Sequence, residues 1–311
     1  MFPIVKNNYI RWQGHGVNFK VDIDLLPTNF ENYFNESLKA VEEIYSSRQG
    51  KIHLFYSGGL DSEYILSLFL RLGMEITPVI VKLSPNYNDH DTDYAFKFCE
   101  SKGIIPIVID IDFDHFVNSG KFLEIGRELK SPGFPKIALA HAALKLTGTV
   151  LIASGDPHVK LDKQTNTWNF ELVESHAKFL LTNYFLQKGI PGTANLMTWS
   201  PGMMISFLSD ERIQELANNQ LRGKISAISS KAIIYNRHSN FTLEERIKYH
   251  GYELILYSRT KSMPGVSSQP KEIYNHDAFK EIEKYRANYE GICKFEYFDF
   301  LKKNGSPIRK I

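Results

Sequence analysis

Apolar residues in the central part of the chain form short continuous runs, and these runs alternate with segments of helical periodicity. The runs, which predict strands, lie at 51–56, 76–83, 104–110 and 150–153. The helical patterns lie at 63–72, 89–102, 113–130 and 135–146. Strands that are apolar throughout are typical of a parallel sheet covered by helices on both faces. The pattern therefore predicts an α/β domain of this kind over residues 48–160.

Outside this domain the patterns differ. Residues 8–24 alternate between apolar and polar positions around a Gly-His-Gly turn, which predicts a hairpin. A helix capped by Thr28 and Asn29 is expected over 30–46. The chain after the α/β domain predicts a mainly helical substrate-side region with turns at 188–192 and 200–202, and then an extension that ends in a loosely packed basic tail. The four expected regions are 1–47, 48–160, 161–260 and 261–311.

The overall charge narrows the function classes. The 311 residues include 37 basic and 35 acidic side chains, which gives a net charge of +2. This balance argues against a general binder of nucleic acid or membrane surfaces, and only a local basic groove remains possible.

Cys99 and Cys293 form no Cys-x-x-Cys pair, and two cysteines provide no disulfide framework. No signal-peptide layout opens the chain, and the apolar runs are too short for a bilayer. We expect a cytoplasmic protein without a membrane partner.

The most informative segment lies where the first predicted strand of the sheet meets its first helix. Its sequence is Ser57-Gly58-Gly59-Leu60-Asp61-Ser62. Two glycines leave the backbone bare and permit positive φ, so successive N–H groups and the positive end of the next helix can face one anion. Ser57 and Ser62 add hydroxyl donors, and Asp61 can hold a Mg²⁺ ion that bridges pyrophosphate oxygens. Because the Walker lysine is absent, γ-phosphoryl transfer is not indicated. The alternative is a glycine turn that only closes a βα unit.

A six-residue match of this kind after an apolar strand resembles the signature of the N-type ATP pyrophosphatases, the PP-loop superfamily. That group includes asparagine synthetase, β-lactam synthetase, argininosuccinate synthetase, NAD synthetase, GMP synthetase and several enzymes that modify tRNA or deazapurines. The resemblance implies an adenine nucleotide alpha-hydrolase-like fold of HUP type. It also implies cleavage of ATP to AMP and pyrophosphate while a carboxylate or carbonyl oxygen is activated as an adenylate. It covers residues 48–160 well and 190–255 weakly.

The same resemblance implies further site residues. The second strand of the family lies along adenine, which here corresponds to Val81, Lys82 and Leu83. A second loop beside the pyrophosphate is similar to residues 152–156, where Gly155 and Asp156 would contact the nucleotide and Asp156 would be a second Mg²⁺ ligand. Here Pro-His-Val-Lys replaces the Asp-Glu continuation of the family. The position of Asp156 at the carboxyl end of a strand, where open α/β sheets bind ligands, also favours a site role in Mg²⁺ or substrate contact, and the alternative is a helix cap for the following segment.

Basic residues near the C-terminal end of the helical region are further candidates. In the asparagine synthetase branch a lysine reaches over the phosphates, and Lys231 and Lys248 are the candidates here, with Arg246 as a helper. An ammonium group there would offset negative charge as pyrophosphate leaves. The competing interpretation is the charged outer face of an amphipathic helix. An acidic cluster at 89–93 is interpreted chiefly as favourable charge at a helix N-terminus, with a metal site as the alternative.

The leading hypothesis is an ATP-dependent, AMP-forming carbon–nitrogen ligase of the asparagine synthetase-like branch. A substrate carboxylate attacks the α-phosphorus, pyrophosphate leaves with Mg²⁺, and ammonia or an amine attacks the adenylate to form an amide. Because about 50 residues precede the loop and Met1-Phe2 replaces the N-terminal cysteine of the family's glutaminase domain, nitrogen is expected as ammonia, as an amine or from a separate glutaminase. The alternatives are an enzyme that modifies bases of tRNA or DNA by the same chemistry, with the basic tail on phosphates, and a non-catalytic nucleotide-binding subunit.

Overall fold

The computed structural model describes residues 10–13, 18–21, 29–131, 133–154, 158–162, 164, 167–172, 180–218, 227–244, 246, 277–284 and 293–296. The strands are β1 (Ile10–Gln13), β2 (Asn18–Val21), β3 (Ile52–Phe55), β4 (Thr77–Ser84), β5 (Ile107–Asp112), β6 (Thr149–Ile152), β7 (His158–Asp162), β8 (Thr167–Leu172), β9 (Gly192–Thr193) and β10 (Cys293–Glu296). The helices are α1 (Tyr33–Ser47), α2 (Leu60–Arg71), α3 (Asp89–Ser101), α4 (Phe113–Asn118), α5 (Lys121–Leu129), α6 (Phe134–Ala143), α7 (Leu180–Lys188), α8 (Pro201–Ser209), α9 (Glu211–Asn218), α10 (Ala227–Asn236) and α11 (Asp277–Glu283).

A five-stranded, all-parallel sheet lies at the centre of the fold, in the order β5-β4-β3-β6-β9. β3 is its middle strand, and Phe55 pairs with Val79 of β4 on one side and with Ile152 of β6 on the other. Helices pack on both faces of this sheet. The predicted α/β class is therefore confirmed.

Alternate side chains of the sheet belong to two separate cores. Leu54, Tyr56 and Ile80 pack with residues of α1, α2, α3 and α8, whereas Phe55 and Val79 pack with residues of α4, α5, α6 and α7. Successive side chains of a strand point to opposite faces, so a sheet covered on both sides needs apolar residues at every position. This requirement explains the continuous apolar runs in the sequence.

The connectivity reverses direction beside β3. From β3 the chain passes through α2 to β4 and through α3 to β5 on one side, and it then returns through α4, α5 and α6 to β6 on the other side. In open α/β sheets, ligands bind at the carboxyl ends of the strands where the strand order reverses. The topology therefore places a ligand crevice at the end of β3, between β4 and β6.

Two predicted helix starts are corrected by the structure. α2 begins at Leu60, three residues before the predicted start, because Gly59 is its N-cap and the glycine segment leads directly into the helix. α1 is capped by Asn32, whose side-chain oxygen accepts a 3.0 Å hydrogen bond from the N–H of Asn35, and not by Asn29. The other predicted cap, Thr28, lies outside the described residues.

The predicted third strand is an edge strand and not a fully buried one. Within the described residues β5 pairs with β4 alone, and Val108 of β5 is 46% exposed. At the opposite edge, the predicted turn at 188–192 ends in β9. Gly192 is required there, since a Cβ would lie 1.9 Å from the carbonyl oxygen of Val150.

Smaller sheets lie outside the central one. The predicted N-terminal hairpin is confirmed as β1 paired antiparallel with β2. A three-stranded antiparallel sheet in the order β10-β8-β7 was not predicted, and β8 lies in the stretch expected to be mainly helical, which also contains α7 to α10. The basic tail lies outside the described residues. No helix in the described ranges is both long and apolar enough to cross a membrane.

Candidate functional site

A cleft with a volume of about 510 Å³ opens at the carboxyl ends of β3, β4 and β6, where the topology places a ligand crevice. Its apolar half is lined by Phe55, Val79, Val81, Pro135, Leu139 and Ile152. Its polar half is lined mainly by the glycine segment, the start of α3 and residues of the C-terminal half of the chain. The cleft thus offers one end to an apolar group and the other to a charged one.

The glycine segment between β3 and α2 forms the floor of the polar half. Gly58 has a φ of 67°, and a Cβ there would lie 2.9 Å from the carbonyl oxygen of Asp91 and 3.0 Å from the backbone nitrogen of Ala95. Gly58 is therefore required by its positive φ and by the close approach of α3. Gly59 lines the cleft as the N-cap of α2 and provides no side-chain cap.

The start of α2 faces the cleft. Every residue from Gly59 to Ser62 lines it, together with Ser57. The hydroxyl oxygens of Ser57 and Ser62 lie 3.4 Å apart, and Ser62 also donates a 2.9 Å hydrogen bond to the carbonyl oxygen of Gly59. A helix N-terminus without a capping side chain, flanked by hydroxyl donors, is suited to an anion. The structure thus brings the predicted loop residues together around one cleft, with Leu60 on its wall and Gly58 behind the loop against α3.

Asp61 is the carboxylate of this helix start, and two residues of α10 bind it. Lys231 Nζ lies 3.1 Å from Oδ1 and 3.0 Å from Oδ2, and the hydroxyl of Tyr235 donates to Oδ1 at 2.6 Å. Because Lys231 and Tyr235 are four residues apart, they project from the same face of the helix. Asp61 and Lys231 both line the cleft, with side chains 25% and 10% exposed. The structure therefore places the predicted lysine on the loop.

Three stacked tyrosines hold α10 in this position. The rings of Tyr64 and Tyr235 stack with centroids 4.3 Å apart, and Tyr33 stacks on them at 5.6 and 5.7 Å. Each stacked aromatic pair contributes about 0.5–1.5 kcal/mol beyond its burial. Burial raises the pKa of Tyr64 far above its ordinary value, so this phenol stays neutral within the stack. The stack joins α1, α2 and α10 beneath the polar half of the cleft.

Glu63, two residues after Asp61, forms a second ion pair. Its carboxylate binds Arg246 through Nη2 at 2.9 Å and Nη1 at 2.5 Å, and it accepts a 3.0 Å hydrogen bond from Tyr56. Arg246 Nη1 also donates to the carbonyl oxygen of Gly58 at 3.0 Å. Burial and the nearby charge of Glu63 raise the pKa of Tyr56 well above its ordinary value, so its hydroxyl remains a donor. The pair fixes the predicted helper Arg246, which also lines the cleft, to the loop.

The predicted base-contacting residues of β4 differ in position. Val81 lines the cleft, Lys82 forms an ion pair with Asp89 at 3.3 Å, and Leu83 is fully buried in the second core. The backbone of this stretch is bound by Asn88. Its Nδ2 donates to the carbonyl oxygen of Val81, and its Oδ1 accepts from the N–H of Leu83, each at 2.8 Å.

Other predicted residues lie beyond the described ranges. Gly155, Asp156 and Lys248 are among them, so the structure places neither the predicted second Mg²⁺ ligand nor the second candidate lysine. The start of the predicted second loop is described. Ala153 and Ser154 line the cleft beside β6.

Asp61 suits the role of a magnesium ligand. Proteins usually hold Mg²⁺ through one or two carboxylates, with substrate phosphates and water completing the shell. A carboxylate offers about four lone-pair sites. Asp61 accepts three hydrogen bonds, which leaves room for a cation on the cleft side. Among the described residues, no group of three or more His, Cys, Asp and Glu side chains could hold a metal ion, and this includes the described members of the 89–93 cluster.

Sequence reasoning missed several members of the site. Tyr235 had a usable signal, since it follows Lys231 by one helical turn. Glu63, Tyr56 and Asn88 had none, because the partners that define their roles lie on other elements of the fold. Compared with known proteins, the chain matches no family model and has no significant match among curated proteins.

Proposed function

We propose that the chain is an ATP pyrophosphatase-type ligase of the PP-loop superfamily. It adenylates a carboxylate, releases pyrophosphate and transfers the activated acyl group to ammonia or an amine. The observation that supports this most directly is the convergence of a bare helix N-terminus, Asp61 and Lys231 on one cleft of about 510 Å³. That volume lies within the usual range of small-molecule sites, about 300–1,000 Å³.

The polar half of the cleft suits the pyrophosphate end of the nucleotide. N–H groups at the start of α2 and the hydroxyls of Ser57 and Ser62 would bind the phosphate oxygens. Asp61 would hold Mg²⁺, which supplies positive charge to the departing pyrophosphate. These groups are held in place before the nucleotide arrives, so no reorganisation is needed during the reaction.

Lys231 has the position of an electrostatic catalyst. Its ammonium is largely buried and points at Asp61 across the cleft wall, so it adds positive charge beside the place where pyrophosphate forms. A charge in a site of low dielectric stabilises a developing anion more strongly than one in water. Asp61 balances this charge in the absence of nucleotide.

The apolar half suits the nucleoside. Val81 of β4 and Ile152 of β6 come from the two strands that flank β3, and Pro135 and Leu139 of α6 line the same cleft. The acceptor carboxylate would approach the α-phosphorus between the two halves. Nitrogen would come as ammonia, as an amine or from a separate glutaminase. A reducing compartment such as the cytoplasm suits the free, buried thiol of Cys99.

The proposal is tested by product analysis. The protein is incubated with ATP, Mg²⁺ and panels of carboxylates and amines, and AMP with pyrophosphate is expected. Lys231→Met should lower the rate of pyrophosphate release about a hundredfold. The matched control is Lys280→Met, because the side chain of Lys280 is 65% exposed. ADP and orthophosphate as the products of every active mixture would contradict the proposal.

A further inference from the structure

We infer that Asn88 removes the preference for adenine over guanine from this cleft, so that the protein accepts both purine nucleoside triphosphates. The inference rests on the proposed function and adds the class of base that the same site takes. It depends on one hydrogen-bonded contact between Asn88 and the end of β4.

At the cleft, β4 extends past the end of its neighbour β3. The pairing between β3 and β4 ends where Phe55 of β3 pairs with Val79 of β4, and the N–H of Tyr56 donates to the carbonyl oxygen of Val79 at 2.8 Å. Backbone groups of alternate residues in a strand point to the same side. The carbonyl oxygen of Val81 and the N–H of Leu83 therefore point to the side where β3 has ended. An approaching planar group can pair with this edge.

A free edge of this kind distinguishes the two purines. Adenine presents an amino donor beside a ring-nitrogen acceptor, which matches a carbonyl oxygen beside an N–H. Guanine presents an oxygen acceptor beside an N–H donor, which is the reverse order. Because guanine would leave both backbone groups unpaired, the edge would favour adenine.

Asn88 occupies this edge with the same chemistry. Its carboxamide places a donor nitrogen and an acceptor oxygen on one carbon, as adenine does with its amino group and neighbouring ring nitrogen. Both hydrogen bonds are 2.8 Å long, and the residue is 7% exposed and lines the cleft beside Val81. Although Asn88 is the N-cap of α3, its side chain makes no capping hydrogen bond. The side chain therefore binds the backbone of β4, and it presents to β4 the same donor and acceptor that adenine would present.

Among the described residues, the consequence is a base site in which the carbonyl oxygen of Val81 and the N–H of Leu83 are already paired. The apolar side chains of the cleft, such as Val81, Leu139 and Ile152, contact the faces of any purine alike. Affinity then comes from the triphosphate end and from apolar contact, and neither distinguishes adenine from guanine.

The test compares binding of ATP and GTP, each with Mg²⁺, by titration calorimetry. For the unmodified protein the two dissociation constants should agree within about threefold, since no net hydrogen bond separates them. Asn88→Ala exposes the edge, and the ratio should move toward ATP by about tenfold, as expected for one to two net hydrogen bonds. Asn86→Ala, an exposed asparagine in the same turn, is the matched control and should keep the ratio of the unmodified protein.

Each outcome decides the matter. A preference of the unmodified protein for ATP above about threefold overturns the inference and leaves the proposed function intact. A folded, nucleotide-binding Asn88→Ala protein with an unchanged ratio also overturns it. If neither triphosphate binds, both the inference and the proposed function fail. Thermal unfolding checks the variant, and if it does not fold, the comparison in the unmodified protein decides.

Discussion

Two ion pairs start from the first turn of the same helix and are built differently. Asp61 binds Lys231, 170 positions away, and Glu63 binds Arg246, 183 positions away. The Asp61 side chain is 25% exposed and lines the cleft, whereas the Glu63 side chain is 6% exposed. A lysine is a compact charge that can turn toward a new partner, and an arginine is a planar fork that fixes geometry.

The two ion pairs start only two residues apart in the sequence, and they differ in role. The Asp61 pair faces the place where a triphosphate would lie, so its charges can act on a substrate. In the other pair, Glu63 is not among the lining residues, whereas Arg246 lines the cleft and also holds the carbonyl oxygen of Gly58. Because a trans peptide is planar, fixing that carbonyl on one side directs the N–H of Gly59 to the opposite side. The Glu63–Arg246 pair thus orients the backbone of the loop beside which the Asp61–Lys231 pair lies.

The largest effect is expected from Asp61→Asn. The amide keeps the size of the side chain but provides a weak magnesium ligand, so turnover should fall about a thousandfold, or about 4 kcal/mol. The free energy of unfolding should change by less than about 2 kcal/mol, because the amide oxygen of the asparagine can still accept a hydrogen bond from Lys231. Rates of pyrophosphate release and urea unfolding measure both. Turnover within tenfold of the unmodified protein would contradict the assignment of Asp61.

Glu63→Gln should have the opposite profile. It leaves the guanidinium of Arg246 without a counter-ion at the 6% exposed position of Glu63, and the free energy of unfolding should drop by about 3 kcal/mol. At temperatures where the variant is folded, turnover should fall less than in Asp61→Asn. Urea unfolding checks the first expectation, with the exposed Glu42→Gln as the matched control. A loss below 1 kcal/mol would show that the buried pair has no architectural role.

Arg246→Lys sharpens the comparison, because it keeps the charge and removes the fork. One ammonium cannot bind both oxygens of Glu63 and the carbonyl oxygen of Gly58 in the same geometry. We expect a stability loss of about 1.5 kcal/mol and a higher KM for the nucleotide, since the Gly58–Gly59 peptide loses its anchor. Steady-state kinetics and urea unfolding would reveal both changes, and an unaltered KM would count against a role of Arg246 in loop geometry.

Tyr235→Phe should have the smallest effect. It removes the 2.6 Å hydrogen bond to Asp61 and keeps the ring stacked on Tyr64. The expected loss is about 1 kcal/mol of stability, with turnover reduced less than tenfold. Thermal unfolding and pyrophosphate release give the two values. A loss as large as that of Asp61→Asn would mean that the phenol itself takes part in the reaction.

Much of the central fold could be predicted from the chain because its signals are local. Apolar runs such as 76–83 mark strands buried on both faces, and glycines mark the turns between elements. β5 and β9 were harder to predict, because exposure at a sheet edge depends on which strands are neighbours. β8 was missed although β7 directly precedes it in a hairpin, and its pairing with the distant β10 is a long-range property that no local pattern shows.

The sequence by itself determined the parallel α/β architecture and the glycine segment at the end of β3. Both depend only on residues that are close together in the chain, namely on the periodicity of apolar positions and on the backbone freedom of glycine. Only the tertiary structure decided which distant side chains complete the site. Lys231 and Arg246 reach the loop because stacked tyrosines and buried ion pairs dock the later part of the chain on α2. Asn88 is a cleft residue only because its side chain binds the end of β4. Contacts across 170 or more positions leave no pattern in the local sequence, since they depend on packing between whole elements.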